Sequence, residues 1–502
     1  MSTTPSTWTV ETRTGAVTGR VVNGVGRALG IPYAAPITPD TRFLPAHPPA
    51  PWSEPLDATS VGPIAEQHGV DRSIEMAESC HRVHVWAPVA GRPRKPVIVW
   101  LHGGGWYRGE PVGPSTDGAN LAGAADVVVV SVTHRLGLLG CLYLADHLGD
   151  AYATSGTAVI DDLLLALEWI RDNIAAFGGD PDNVTIVGCS GGGAKTAALF
   201  TIPAARTLVS RAIVQSGSAE HYLDRDEGVH LTDRVLRLLE IPRERADRLL
   251  TLPAETFSRV QDELFRISPW TPILGTATGL LPFPTVNGHT VPDLPGRLMD
   301  PADTRPLIIG SAWEEAILPL ARWPQTEPAT DDDVATLVHP NLGGATRELV
   351  ATYRARFPDV SSRELLIRLG SDVESFRAHR LARTRTGGGA TRLYRLDWGS
   401  TAYDGVRRAC HCLEVGLVFR NYDKDPKLIG QAGAREVSEA FSAAVVAFAE
   451  GADDVRVGDV AWGLFTADTP QGMVVSTEPR MDPDLHAEAV AVWEPYTALI
   501  RR

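Results

Sequence analysis

The chain has 502 residues, 44% of them apolar, and a formal net charge of -14. That supply of apolar side chains suits a large buried core and excludes a disordered tail protein. An acidic surface repels phosphate backbones and anionic lipid heads, so neither nucleic acid nor a membrane is an expected partner.

No apolar run reaches the roughly 18 residues needed to cross a bilayer. The start, Met1-Ser-Thr-Thr-Pro5, has neither the basic nor the apolar region of a secretory signal, which predicts a cytoplasmic location. Cys80, Cys141, Cys189, Cys410 and Cys412 form an odd set, expected to be reduced.

In chain order, Trp8–Thr12 and Ala16–Val22 read as short strands, followed by a proline-rich loop over 36–55. Val97–Leu101, Asp126–Thr133, Val184–Val187, Ala212–Val214 and Leu307–Ile309 are β-rich apolar runs, the pattern of a sheet covered on both faces. Between two of them Ile160, Leu163, Leu164, Leu167, Ile170, Ile174 and Phe177 recur at steps of three and four. That stripe predicts a helix ended by Gly178-Gly179. Alternating strands and helices imply a mostly parallel sheet. Regions of about 220–305 and 316–390 lose strand character and are expected to roof the sheet as helical and loop insertions. Arg435–Glu450 reads as a late helix and Met473–Ser476 as a late strand. No linker interrupts the pattern, so residues 1–502 are expected to form one elaborated α/β domain.

Gly188-Cys189-Ser190-Gly191-Gly192 is a G-x-S-x-G motif placed directly after a strand and before the helix-capable Ala194–Phe200. Such a turn holds a serine hydroxyl at the strand's end, against a helix N-terminus that favours developing negative charge. A phosphate loop is the competing reading, since Gly188 and Gly193 have the right spacing. Ala194, however, sets Lys195-Thr196 one residue too far along. His102-Gly-Gly-Gly-Trp106 follows the strand Val97–Leu101. Its glycines let backbone amides approach an oxyanion, which makes Gly104, Gly105 and Gly191 the candidate donors.

These segments and others resemble the type-B carboxylesterases, the cholinesterase-like branch of the α/β-hydrolase fold. The likeness is carried by Gly30-Ile-Pro-Tyr-Ala34 with Arg42-Phe43, by Glu78-Ser-Cys80 with Val85–Pro88, and by Arg135-Leu-Gly137. Phe177–Thr185, Gln215-Ser-Gly217 and Pro284–Gly288 continue it. The resemblance implies an ester hydrolase in which Ser190 is the nucleophile, His411 the base and Glu315 the acid that orients it, with Glu314 as the alternative acid. Glu414 and Ser216 are implied as supports, and no metal or organic cofactor is implied. Trp106, Tyr107, Phe283, Trp270, Trp313 and Cys189 are expected around the substrate. An aromatic gorge would favour a small-molecule ester that is uncharged and moderately hydrophobic. Oligomeric state stays open between monomer and homodimer. Acyl transfer or ring closure at the same serine is the alternative activity; a non-catalytic binding protein is a more distant one.

Two positions depart from the family pattern. Cys189 stands where Glu usually precedes the serine, which disfavours cationic alcohols. Cys412 stands where Gly usually follows the histidine. Cys410 and Cys412 flank His411 but cannot both ligate a metal with it, because neighbours on an extended chain face opposite ways. Small buried thiols explain them, with a Cys189 bridge to Cys412 or Cys410 as the rarer alternative. Cys80 lacks a family disulfide partner near Pro63–Gln67.

Overall fold

The computed structural model describes residues 6–499, apart from 68, 70–73, 219–221, 268–269, 272–275, 278–280, 323–327, 386 and 431. A thirteen-stranded sheet forms its centre. Its strands are β1 (Ser6–Thr12), β2 (Gly15–Val22), β3 (Val25–Pro32), β4 (Arg82–Pro88), β5 (Lys95–Leu101) and β6 (Val128–Thr133). They continue with β7 (Gly179–Cys189), β8 (Arg211–Gln215), β9 (Leu307–Ala312), β10 (Thr391–Leu396), β11 (Gly472–Val475) and β12 (Arg480–Asp482). The short strand Leu56–Asp57 pairs with β2. Across the sheet the order is β1-β2-β3-β4-β6-β5-β7-β8-β9-β10-β11-β12. From β6 to β11 every pairing is parallel. The N-terminal strands extend the sheet antiparallel through β4, which pairs with β6.

Period-two alternation divides the central strands between two cores. On β5, Val97, Val99 and Leu101 enter one cluster, whereas Ile98 and Trp100 enter the other. Ile186 and Val187 on β7 split in the same way. Both faces must therefore be covered, and helices cover them. They include α1 (Ala158–Asn173), α2 (Gly191–Thr201), α3 (Arg225–Leu238), α4 (Ala254–Ile267) and α5 (Asp331–Leu342). After these come α6 (Thr346–Arg356), α7 (Ser362–Arg383), α8 (Leu413–Val418) and α9 (Ala434–Glu450). The stripe read at 160–177 becomes α1 followed by one 3₁₀ turn, and Gly178 ends it at φ +82°. Among the described residues, no helix is long and apolar enough to cross a membrane.

One expectation for 316–390 needs revision. Helix α7 does not simply roof the sheet: Leu365, Leu366, Leu369, Val373 and Phe376 join the core that holds Ile308 of β9 and Tyr394 of β10. Its remaining face supplies Gly370 and Glu374 to the cavity described below.

At the carboxyl end of β6, where Thr133 pairs with Arg82, lies a buried ion network. Asp162 of α1 accepts hydrogen bonds from Arg135 Nε at 2.9 Å and Nη2 at 2.7 Å, and pairs with His81 Nε2 at 2.9 Å. Burial pushes the Asp162 carboxyl up, but Arg135 and then His81 more than reverse this and leave it well below the usual carboxylate range. Removing one partner of such a pair would strand a buried charge.

Candidate active site

Strand β7 is hydrogen-bonded between β5 and β8 and ends at Cys189, so Ser190 is the first residue beyond the strand. Its backbone adopts φ 61°, ψ -125°, a conformation that costs a non-glycine residue about 1–3 kcal/mol. The turn is held from both ends. Ser190 N donates to Gln215 O at 2.9 Å, and Ala194 N donates to Ser190 O at 3.0 Å as α2 begins. A side chain at Gly191 would fall 2.3 Å from Gly105 O and 2.4 Å from Gly105 N, so only glycine lets the turn meet the glycine loop.

That loop leaves β5 at His102. Gly104 and Gly105 take φ +91° and +66°, which turns the backbone back on itself. His102 stacks on His134, with ring centroids 4.7 Å apart. Lys195 Nζ, buried within α2, donates to His102 O at 3.0 Å and lies 5.9 Å above the Trp106 ring. Burial pulls Lys195 down to about 7. The lysine thus ties the helix after Ser190 to the glycine loop and is not presented to a phosphate, which removes the competing loop reading.

Glu315 follows the end of β9, and His411 lies in the segment between β10 and α8. Glu315 is buried; its Oε1 accepts from Ala312 N at 2.6 Å, and its Oε2 accepts from His411 Nδ1. Glu314 points elsewhere. Its Oε1 accepts from Arg408 Nη1 at 2.9 Å and its Oε2 from Ala409 N at 3.3 Å, so it grips the chain just before His411. Behind the histidine, Ser216 Oγ donates to Glu414 Oε1 at 2.6 Å. Burial first, then the charges of Glu315 and Cys412, push the Glu414 carboxyl up to about 8.

Ser190, Glu315 and His411 line one cavity of about 1320 Å³, together with Gly103, Gly104, Gly105 and Gly191. Ser190, His411, Glu315 and the glycine loop are therefore gathered on the carboxyl side of the parallel strands.

A model of the carboxylesterase family matches residues 6–493. The chain belongs to the carboxylesterase family. It is 32% identical over 491 residues to the para-nitrobenzyl esterase of Bacillus subtilis (strain 168), covering 95% of this chain and 97% of that one. Identity is 29% to the phenmedipham hydrolase of Pseudarthrobacter oxydans, over 93% and 95% of the two chains. Among solved structures, a PNB esterase superposes with a TM-score of 0.83 at 30% identity, over 97% of this chain and 100% of its own. A carboxylesterase of Geobacillus stearothermophilus gives 0.83 at 28%, over 97% and 99%. The fold is that of these esterases, and the protein is a serine hydrolase of carboxylic esters.

Within this carboxylesterase, Trp106, Tyr107 and Phe283 lie on the cavity wall, joined by Phe265 and Leu318. Two other expected substrate contacts do not. Cys189 is 1% exposed and packs into the core behind Ser190, because consecutive residues leaving a strand point to opposite sides. Trp313 is 42% exposed, and Arg395 stacks on it with Cζ 3.5 Å from the ring centroid. The side chain of Trp270 lies outside the described residues. The wall also carries charges that sequence reasoning missed, among them Arg108, Glu110, Glu374, Arg407 and Lys427. These come from four separate segments, and no local motif marks them.

Cys412, at φ 63°, lines the cavity, whereas Cys410 is fully buried. Among the described residues no cluster of His, Cys, Asp and Glu could hold a metal ion. Burial opposes a charge on His411, but the negative charges of Cys412 and Glu315 outweigh it and hold the imidazole well above its ordinary value.

Proposed function

We propose that Ser190 attacks the ester carbonyl while His411 takes its proton and Glu315 fixes the imidazole tautomer. The observation that carries this reading is the His411 Nδ1 to Glu315 Oε2 hydrogen bond, on the same cavity wall as Ser190. With Nδ1 committed to the carboxylate, Nε2 is the ring nitrogen left to act as base. The carbonyl oxygen, as it becomes negative, meets amides of Gly104, Gly105 and Gly191. Each well-placed donor is worth about 3 kcal/mol in the transition state. His411 then returns its proton to the leaving alcohol, and water releases the acyl group from Ser190.

Trp106, Tyr107, Phe265 and Phe283 support an apolar acyl site, hence moderately hydrophobic, uncharged esters as preferred substrates. The charged residues of the wall lie among these apolar groups and leave room for polar alcohol portions. Five unpaired cysteines accord with a reducing, cytoplasmic location. The two relatives named above bear esterase or hydrolase names, which favours hydrolysis over acyl transfer or ligand binding alone.

Hydrolysis of p-nitrophenyl esters of increasing acyl length tests this. Ser190→Ala is expected to lower kcat by on the order of 10⁵–10⁶-fold and to abolish fluorophosphonate labelling. Unchanged turnover by that variant would refute the assignment.

A further inference from the structure

Two of the five thiols that the family reaction leaves unused meet directly behind it. Cys189 ends β7 immediately before Ser190, Cys412 follows His411, and their Sγ atoms are 2.9 Å apart. A disulfide needs about 2.05 Å, so the sulfurs have to approach by only ~0.9 Å. The two differ in access: Cys412 faces the cavity, whereas Cys189 is 1% exposed. They differ in charge as well. The hydrogen bond from Cys189 and the positive charge of His411 pull the Cys412 thiol down against burial, whereas burial foremost pushes Cys189 up. Low pKa and access together mark the more readily oxidised sulfur.

We propose that Cys189 and Cys412 form a hydroperoxide-sensitive dithiol, in which Cys412 is oxidised first through the ester cavity and Cys189 then closes a disulfide across Ser190 and His411. In the first step the Cys412 thiolate attacks a peroxide oxygen. An S–O bond forms, the O–O bond breaks, and the departing alkoxide or hydroxide takes up a proton. The sulfur has lost two electrons to become a sulfenic acid, and the hydroperoxide has been reduced to an alcohol or water. In the second step the Cys189 sulfur displaces that hydroxyl, which leaves as water with the Cys189 proton. Two thiols and one hydroperoxide give one disulfide, one alcohol and one water.

The consequence for activity rests on the roles proposed above for Ser190 and His411. Drawing the two segments together by about 1 Å shifts nucleophile against base, a displacement that costs about 100-fold in rate. It also removes the negative sulfur beside the imidazole. Reduction restores both.

The test treats the purified full-length protein with hydrogen peroxide. It then counts thiols in denaturant, maps non-reduced peptides by mass spectrometry and measures p-nitrophenyl butyrate hydrolysis. Two of the five thiols are expected to disappear, with peptides bearing residues 189 and 412 joined and lighter by two hydrogens. Activity should fall about 100-fold and return with dithiothreitol. Cys189→Ser should stop at a Cys412 sulfenic acid that dimedone traps. Cys412→Ser should keep its own untreated rate. Five surviving thiols, oxidation at Cys410 in place of the pair, or a 189–412 cross-link without loss of activity would overturn the proposal. Thiols and cross-links are read without substrate. An untreated protein that hydrolyses no ester would therefore count against the functional reading alone.

Discussion

Gly191→Ala places one methyl group where the turn after Ser190 meets the glycine loop. Its Cβ would lie 2.3 Å from Gly105 O and 2.4 Å from Gly105 Cα and N, all of them backbone atoms that cannot rotate aside. Ordinary contact begins at about 3.4 Å, so either the loop retreats or the turn tilts by ~1.1 Å. Gly105 and Gly191 are two of the three proposed oxyanion donors, and either movement takes at least one out of range. Losing one donor lowers kcat by about 10²–10³-fold, equivalent to ~2.7–4 kcal/mol. Alanine at a helical position gains up to about 1 kcal/mol in propensity, too little to hide the effect. Steady-state kinetics with p-nitrophenyl butyrate should show this fall in kcat with KM changed less than about threefold, as expected when a contact made only in the transition state is lost. Gly344→Ala, at a glycine whose added Cβ would meet nothing within 4 Å, serves as the control. A Gly191→Ala enzyme with unchanged Tm and kcat within about threefold of the parent would show that the loop is not held against the turn, and the donor assignment would fall.

Three further outcomes follow from the same geometry. Glu315→Gln keeps a hydrogen-bonding group but favours the wrong tautomer of His411, so kcat should fall about 10⁴-fold; a loss under about tenfold would mean that another carboxylate serves. Cys412→Ser removes a negative charge that raises His411, so the rising limb of kcat/KM should move to lower pH, and an unmoved limb would contradict the cause given for that shift. Asp162→Asn should cost about 3–5 kcal/mol in urea unfolding at pH 7, because Arg135 stays charged and buried. The folded Asp162 carboxyl is depressed, so its contribution is complete above the unfolded value of about 3.9 and fades as pH falls toward the folded one. The variant should accordingly lose less stability than the parent between pH 5 and about 3, and parallel pH profiles would refute this.

The sharp turn at Ser190 was legible in sequence because such a turn needs glycines at fixed offsets, and a turn is a local object. Glu315 and His411 became legible only through family resemblance, since they are brought together by β9 and β10 rather than by spacing. Strand β10 itself escaped notice: Thr-Arg-Leu-Tyr-Arg-Leu carries two arginines in six residues, yet it lies inside the sheet. There Arg392 is buried and donates to Trp462 O at 3.1 Å and Asp453 O at 2.9 Å. A run with two arginines reads as surface unless those distant carbonyls are known. The misplacement of Cys189 was avoidable, because strand alternation alone turns it away from Ser190. The inward charge of Glu374 was not, because only the packing of α7 on the sheet decides which of its faces meets the cavity.

The adjacent carboxylates Glu314 and Glu315 divide the labour of a clasp. One seizes Arg408 and Ala409 and the other the imidazole two residues on. The spacing of Glu315 and His411 is thus held from the end of β9, with α7 and β10 as the fixed part of the chain between them. Insertions or new side chains over much of that intervening span can reshape the chamber wall while the proton-handling pair keeps its alignment. A scaffold built in this way can change what it accepts without relearning how to cut it.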